Sequence, residues 1–162
     1  MQVTIVEKGP IHLVGMHIRS SLANNGTMAL WQGFKPGIGF LQGVDPAVSF
    51  SVSRYDNLDS VINFHPNTEF EKWAAVEQLD LSFEVPEGME QLEIERGQYA
   101  HFLYKGAVSG FGAAMGRFYG AWLPQSGFAL DHRPHFERLD QRYLGPTHSD
   151  SVEEVFISVK KL

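Results

Sequence analysis

The feature that most constrains the fold of this chain is a repeat within its own sequence. The letters VEKG at residues 6–9 are matched by IERG at residues 94–97, an offset of 88 positions. At the same offset Trp31 aligns with Tyr119, and the order of the predicted elements also agrees between the two halves. A fixed offset with a common element order indicates two copies of one structural unit.

Each copy is predicted to form a strand, a helix and two further strands. Alternating apolar residues predict opening strands at about 3–17 and 92–103, and we interpret the glycine steps at 9–10 and 97–98 as kinks within long bent strands. Apolar residues spaced by three and four predict a second-half helix from Val108 to Trp122, ended by Pro124, and a shorter first-half helix ends near Phe34. Closing strands are predicted at about 48–52 and 70–81, and again at 134–140 and 152–159.

This pattern predicts an α+β fold made of a tandem βαββ repeat. Two such units pair their strands into one curved antiparallel sheet with both helices on one face. We expect a single domain over residues 1–162, with repeat units of about 1–82 and 88–162. A groove at the pseudo-twofold seam between the units is the natural ligand site.

The composition excludes several classes of function. The chain has no cysteine, so it has no thiolate metal site, disulfide or cysteine nucleophile. A net charge of −6 and the absence of a long basic run argue against direct nucleic-acid binding. No signal peptide or membrane span is visible, and we expect a cytoplasmic protein without a membrane association.

The short motifs that could hold a cofactor or metal are weak. The glycines at 110, 112 and 116 have the spacing G-x-G-x-x-x-G outside a βαβ unit, which favours close packing over a dinucleotide site. His132 and His135 have no partner carboxylate cluster, and no serine has the nucleophile-elbow spacing. We therefore expect no cofactor and no metal.

Glu137 is the leading candidate for a functional side chain. It lies in the predicted strand 134–140, where alternation places it on one face with His135 and Leu139. It is either an ordinary exposed strand carboxylate or a carboxylate on the floor of an aromatic groove. In the second case it would attract a cation, and desolvation would raise its pKa.

The chain also carries more aromatic rings than a small core needs, with 12 Phe, 5 Tyr and 3 Trp. Rings at helical spacing usually belong to the core, whereas tyrosine hydroxyls require polar partners. We expect some rings to line the groove, and the candidates are Trp31, Phe40, Tyr55, Tyr104, Phe111, Tyr119 and Trp122.

Five segments resemble the GyrI-like family, also called the AraC-type effector-binding domain. They are FEKWAAV at 70–76, VPEGM at 85–89, IERGQYA at 94–100, WLPQSG at 122–127 and RPHFE at 133–137. The resemblance spans nearly the whole chain and implies tandem βαββ units with a ligand groove. It also implies that Glu137 meets cationic or amphipathic compounds in an aromatic pocket, with Trp122 and Tyr55 as wall residues.

The resemblance leaves three functions open. The first is a stand-alone effector-binding module for amphipathic, cationic small molecules, related to transcription regulation and not itself an enzyme. The second is a hydrolase in which Glu137 activates water against cyclopropane-bearing electrophiles. The third is a gyrase-inhibitor-like interaction module acting through surface acids such as Glu153 and Glu154.

The expected partners follow from the same resemblance. Because 162 residues leave no room for a helix-turn-helix module, we expect the chain to work as a homodimer or with a separate regulatory protein.

Overall fold

A computed structural model describes residues 1–162 and contains nine β-strands and four short α-helices. The strands are β1 Thr4–Lys8, β2 Ile11–Ser20, β3 Val44–Arg54, β4 Phe70–Gln78, β5 Glu90–Ile94, β6 Gly97–Lys105, β7 Phe128–Leu130, β8 His135–Leu139 and β9 Val152–Lys161. The helices are α1 Thr27–Phe34, α2 Leu58–Ile62, α3 Phe111–Arg117 and α4 Leu123–Gln125. A 3₁₀ turn follows α1 at Lys35–Phe40, and a π-helical turn at Phe118–Trp122 joins α3 to α4.

The strands pair in a pattern with pseudo-twofold symmetry. Their order is β1-β6-β9-β8-β3-β4-β2-β5, with β7 beside the end of β9, and all pairs are antiparallel. At the central β3–β8 pair, Phe50 lies opposite Arg138, and these residues are separated by the same 88 positions as the sequence repeat. The local symmetry axis therefore passes between Phe50 and Arg138. The predicted α+β fold with a curved antiparallel sheet is confirmed.

The opening strands depart from the prediction of one long bent strand in each half. The chain breaks into β1 and β2 at Gly9, and into β5 and β6 before Gly97. β1 pairs with β6 of the second half, while β5 pairs with β2 of the first half. The first strand of each half therefore pairs with a strand of the other half. A single continuous strand with a kink could not form these two separate pairings.

The repeated VEKG and IERG segments lie where these two exchanged strands pass each other. Gly9 has φ 90°, and a Cβ atom built there would lie 2.8 Å from the backbone nitrogen of Arg96. A side chain at this position would therefore be both conformationally strained and crowded by backbone.

We expect Gly9→Ala to lower the free energy of unfolding by about 1–2 kcal/mol, because alanine resists a positive φ. The matched control is Gly112→Ala in α3, where a Cβ meets nothing within 4 Å. That change should instead stabilise by about 1 kcal/mol, since alanine is the better helix former. Urea denaturation of the three proteins measures both effects. Equal stability of Gly9→Ala and the unchanged protein would contradict the strand-crossing explanation.

Both main helices pack on the same face of the sheet. Leu30 and Phe34 of α1 are buried against Val14, Ala74 and Val76 of β2 and β4. In the second half of the chain, and on the same face of the sheet, Ala114 and Phe118 pack against a second cluster on β6 and β9. This cluster is formed by Ala100, Phe102, Val155, Ile157 and Val159. The opposite face of the sheet holds a separate core that includes Leu13, Phe50, Trp73, Tyr99, Phe136 and Phe156.

The second-half helix runs past the proline that was predicted to end it. The Leu123 amide donates to the Phe118 carbonyl, five residues back, so the helix widens immediately before Pro124. Proline lacks an amide hydrogen, and a wider turn accommodates it where a regular turn would lose a bond. The α-helix begins at Phe111 rather than Val108, because a 3₁₀ turn at Val108–Gly110 precedes it.

Candidate functional site

A groove lies on the helix-bearing face, above the central strands β3 and β8. α1 covers β2 and β4, and α3 with the π turn covers β6 and β9, so that no helix covers the centre between them. β3 directs Phe50 and Val52 into the opposite core and presents the short side chains of Ser49, Ser51 and Ser53 to the groove. Because serine side chains are short, they leave space above the sheet at these positions.

Glu137 lies on this floor. It pairs with Ser51 on one side and with Val155 on the other, and Val155 belongs to the cluster beneath α3. Directly opposed residues share a face, so the Glu137 side chain points into the groove. Its half-buried carboxylate accepts no hydrogen bond from the chain. Burial raises the pKa of Glu137, and the charge of Lys72 partly opposes that rise.

A second carboxylate and a lysine face the same groove. Glu153 lies two residues before Val155 on β9 and therefore on the same face of the sheet. Burial, and then the charge of Glu137, raises the pKa of Glu153 to about 7. Lys72 pairs with Ser53 and donates from Nζ to the Ser53 Oγ at 3.2 Å. Its positive charge lowers the pKa of both carboxyl groups. The floor therefore combines two acidic groups with one buried cation.

Three tyrosines border these charged groups. Burial raises the pKa of Tyr55 to about 12, and the nearby Glu137 carboxylate adds to the rise. Burial of the hydroxyl also raises the pKa of Tyr119, with smaller effects from Tyr55 and Glu137, although the residue as a whole is 36% exposed. The pKa of Tyr143 is raised by burial and then by Glu153 and Glu137. The three hydroxyls thus remain neutral near neutral pH.

Tyr55 is held by an aromatic cluster at one end of the groove. Its ring centroid lies 5.5 Å from that of Phe70, 5.9 Å from that of Phe64 and 5.4 Å from that of His135. Edge-to-face and tilted pairs at these distances stabilise ring positions. Tyr55 is therefore a rigid wall for whatever meets Glu137.

The structure brings only some of the predicted site residues together. Glu137, Tyr55 and Tyr119 share the groove. Tyr104 belongs to the buried cluster beneath the second-half helix, and its hydroxyl donates to the Ala107 carbonyl. Phe111 and Trp122 lie on that helix, partly buried against the cluster, and Trp122 stacks on Phe118 at 5.1 Å.

The two first-half candidate rings have different surroundings. Trp31 packs edge-on against Phe34, with ring centroids 6.0 Å apart. Phe40 is 86% exposed at the end of the 3₁₀ turn, because that turn carries its side chain away from the sheet.

The acidic residues of the interaction-module hypothesis do not form an outer surface. Glu153 is half-buried in the groove. Glu154 points to the opposite face, where Arg138 donates to it at 2.9 Å and His101 lies 3.1 Å from it. Glu154 is therefore paired within the domain, whereas the Glu153 carboxyl group faces the groove.

Sequence reasoning did not identify Lys72 and Glu153 as groove residues, nor His135 as more than a neighbour of Glu137. A signal was present in β3, where serine alternates with apolar residues over 48–53. Another was Lys72 itself, a charged residue within a strand that is otherwise largely buried. Neither signal states which side chains meet across the sheet, because that depends on strand order.

Other features of the structure lie outside the groove. A polar pocket of about 450 Å³ is lined mainly by charged side chains, including Arg54, Glu71, Glu93 and Arg133. No group of three or more His, Cys, Asp or Glu residues is placed to hold a metal ion. None of the helices has the length and hydropathy needed to cross a membrane.

Comparison with known proteins identifies relatives of the whole chain. A family model described as the GyrI-like small molecule binding domain matches residues 1–160. The transcriptional regulator BrlR of Pseudomonas aeruginosa is 28% identical over 160 residues, which is 98% of this chain and 56% of BrlR. The chain therefore spans about half the length of that curated relative.

Solved structures with the same fold are more distant in sequence. A putative transcription regulation protein from Staphylococcus aureus MU50 has a TM-score of 0.70 at 15% identity, with 99% of each chain covered. The structure of SAV2435 bound to tetraphenylphosphonium has a TM-score of 0.70 at 17% identity, covering 99% of this chain and 94% of SAV2435. These similarities concern the fold.

Proposed function

The chain belongs to the GyrI-like small-molecule-binding domain family, and from this premise we propose that it captures amphipathic cationic compounds in the seam groove, with Glu137 as the charge anchor. Tyr55 and Tyr119 are the proposed walls.

The observation that carries this proposal is the unpaired state of the Glu137 carboxylate. A carboxylate removed from water without hydrogen-bond donors is unfavourable, and an entering cation relieves that cost. Aromatic rings beside the cation add about 0.5–2 kcal/mol each through cation–π contacts. The groove thus offers a charged centre with apolar sides, which matches a cation that carries hydrophobic groups.

Tetraphenylphosphonium is a suitable probe because it has this chemistry and because SAV2435 has been solved with it. Its counterpart tetraphenylborate has nearly the same shape and the opposite charge. The pair separates recognition of charge from recognition of shape.

We expect saturable binding of tetraphenylphosphonium by isothermal titration calorimetry, and affinity for tetraphenylborate at least about tenfold weaker, equivalent to roughly 1.4 kcal/mol. The carboxylate groups and the cation–π contacts both favour the cation, while apolar contact with the walls serves both probes equally. Equal affinities would show that the groove selects shape alone. Absence of binding by the phosphonium would contradict the cation-capture proposal.

A hydrolase is the second candidate function, favoured by the Glu153 carboxyl group with a pKa of about 7 beside Glu137. A group titrating near the working pH can accept a proton from water, and the paired carboxylates face the same groove. Incubation with a cyclopropane-bearing electrophile followed by mass spectrometry tests this function. A water-addition product formed by the unchanged protein, and lost in both Glu137→Gln and Glu153→Gln, would favour hydrolysis over capture.

A role of this domain in transcription regulation would require a further protein or domain. BrlR extends well beyond the matched region, so transcription control is a property of that whole protein. We propose that ligand binding by this domain changes its contact with a second copy of the chain or with a separate regulatory protein.

A further inference from the structure

Lys72 is a buried charge that capture of a simple cation does not explain. It lies near the start of β4, only 8% exposed, on the face with Ala74 and Val76 that α1 covers. Its ammonium has three donor hydrogens, and its one hydrogen bond in the chain goes to the Ser53 Oγ. A positive charge here weakens the attraction of the groove for cations.

No carboxylate neutralises Lys72 directly. No Asp or Glu oxygen lies within 4.0 Å of its Nζ, although its charge lowers the pKa of both Glu137 and Glu153. Buried lysines are normally paired. The gap between this ammonium and the two carboxylates leaves both kinds of charge free to meet a ligand.

His135, beside Lys72, is a second buried polar group whose hydrogen-bonding capacity is not satisfied within the chain. Ser53 pairs with Lys72 on one side and with His135 on the other, so the three side chains form one row across the sheet. His135 is 3% exposed, and its Nε2 has no hydrogen-bond partner. Burial, together with the charge of Arg133, lowers the pKa of His135 to about 4, so the imidazole is neutral near neutral pH.

The polar row and the acidic groups lie at adjacent positions of the floor. Glu137 stands two residues along β8 from His135 and pairs with Ser51. Two strand spacings across and two residues along place the Cα atoms of Lys72 and Glu137 roughly 12 Å apart. The Lys72 Nζ reaches as far as the Ser53 Oγ, so its charge lies nearer to Glu137 than the Cα separation. A ligand that meets both side chains therefore carries opposite charges at two points.

We propose that the groove selects zwitterionic amphiphiles, whose cationic centre meets Glu137 while a carboxylate accepts hydrogen bonds from Lys72, with the unpartnered His135 alongside. This inference rests on the proposed function, because it assigns the second half of the ligand in the same groove. Lys72 is then a specificity-determining residue, and its buried ammonium is paired once the ligand is bound.

The test uses a rhodamine dye with a free benzoate and the ethyl ester of the same dye, which keep the cationic ring system and differ in the carboxylate. Fluorescence anisotropy titrations are made with the unchanged protein, Lys72→Met and Lys72→Arg. Lys105→Met, which removes an exposed lysine of β6, is the matched control. A thermal melt of each variant establishes that it is folded.

We expect the unchanged protein to bind the free acid about tenfold or more tightly than the ester, as a charge-assisted hydrogen bond predicts. Lys72→Met should lose that preference by weakening the acid and strengthening the ester, whereas Lys72→Arg and Lys105→Met should keep it. If Lys72→Met shifts both dyes equally, or neither, the zwitterion inference is overturned while cation capture stands. If neither dye nor tetraphenylphosphonium binds the unchanged protein, the proposed function fails and the inference fails with it.

Discussion

Replacing Glu137 with glutamine is expected to weaken tetraphenylphosphonium binding by about 30- to 100-fold, a loss of roughly 2–3 kcal/mol. Glutamine has nearly the same size, so Tyr55 and Tyr119 keep their places and the change removes only the charge. The effect is large because the carboxylate is half-buried and unpaired in the chain, so water screens its charge little.

Two controls make the Glu137 result specific. Glu93→Gln removes an exposed carboxylate of β5 and should leave the affinity within about twofold, because exposed charges are screened. Tetraphenylborate should bind Glu137→Gln at least as well as the unchanged protein, since repulsion is removed. Unchanged phosphonium affinity in Glu137→Gln would remove Glu137 from its anchoring role.

Glu153 is expected to make the protein less stable as the pH rises. Its pKa is near the ordinary Glu value of 4.5 in the unfolded chain and about 7 in the folded protein, so the folded state favours the protonated form. That contribution is fully present below pH 4.5 and is lost as the pH rises through about 7. The loss is on the order of 3 kcal/mol, at 1.36 kcal/mol for each pKa unit.

The measurement is urea denaturation of the unchanged protein and Glu153→Gln at pH 4 and pH 8. Glutamine keeps the size of the side chain without its titration, so the variant should become the more stable protein at pH 8 and show no such advantage at pH 4. His135 and Asp140 are common to both proteins and cancel in the comparison, whereas Glu137, whose charge contributes to the raised pKa of Glu153, responds to the substitution as well. A stability difference that does not change with pH would contradict the assignment.

The same titration predicts a pH-dependent affinity for cations. Glu137, Lys72 and Tyr143 face Glu153, and loss of its proton makes the groove more negative. Phosphonium affinity should therefore rise between about pH 6 and pH 8 in the unchanged protein, with release of protons on binding. The rise should be much smaller in Glu153→Gln.

A large part of the fold follows from local patterns in the chain. The 88-residue offset predicted the symmetric halves, and the central Phe50–Arg138 pair has the same separation. Alternation in β8 predicted that Glu137 shares a face with His135 and Leu139. The exchange of β1 and β5 between the halves was not predictable, because a kink and a strand crossing have the same glycine signature.

The sequence alone determined the α+β class, the repeat and the residues that share a face with Glu137, because each depends on spacing along the chain. The tertiary structure decided which side chains surround Glu137. Lys72 and Glu153 reach the groove only because β4 and β9 flank the β3–β8 seam, whereas Trp122 and Phe111, on the second-half helix, are partly buried against the cluster beneath it. Periodicity determines the face of an element, but long-range strand pairing determines which faces meet.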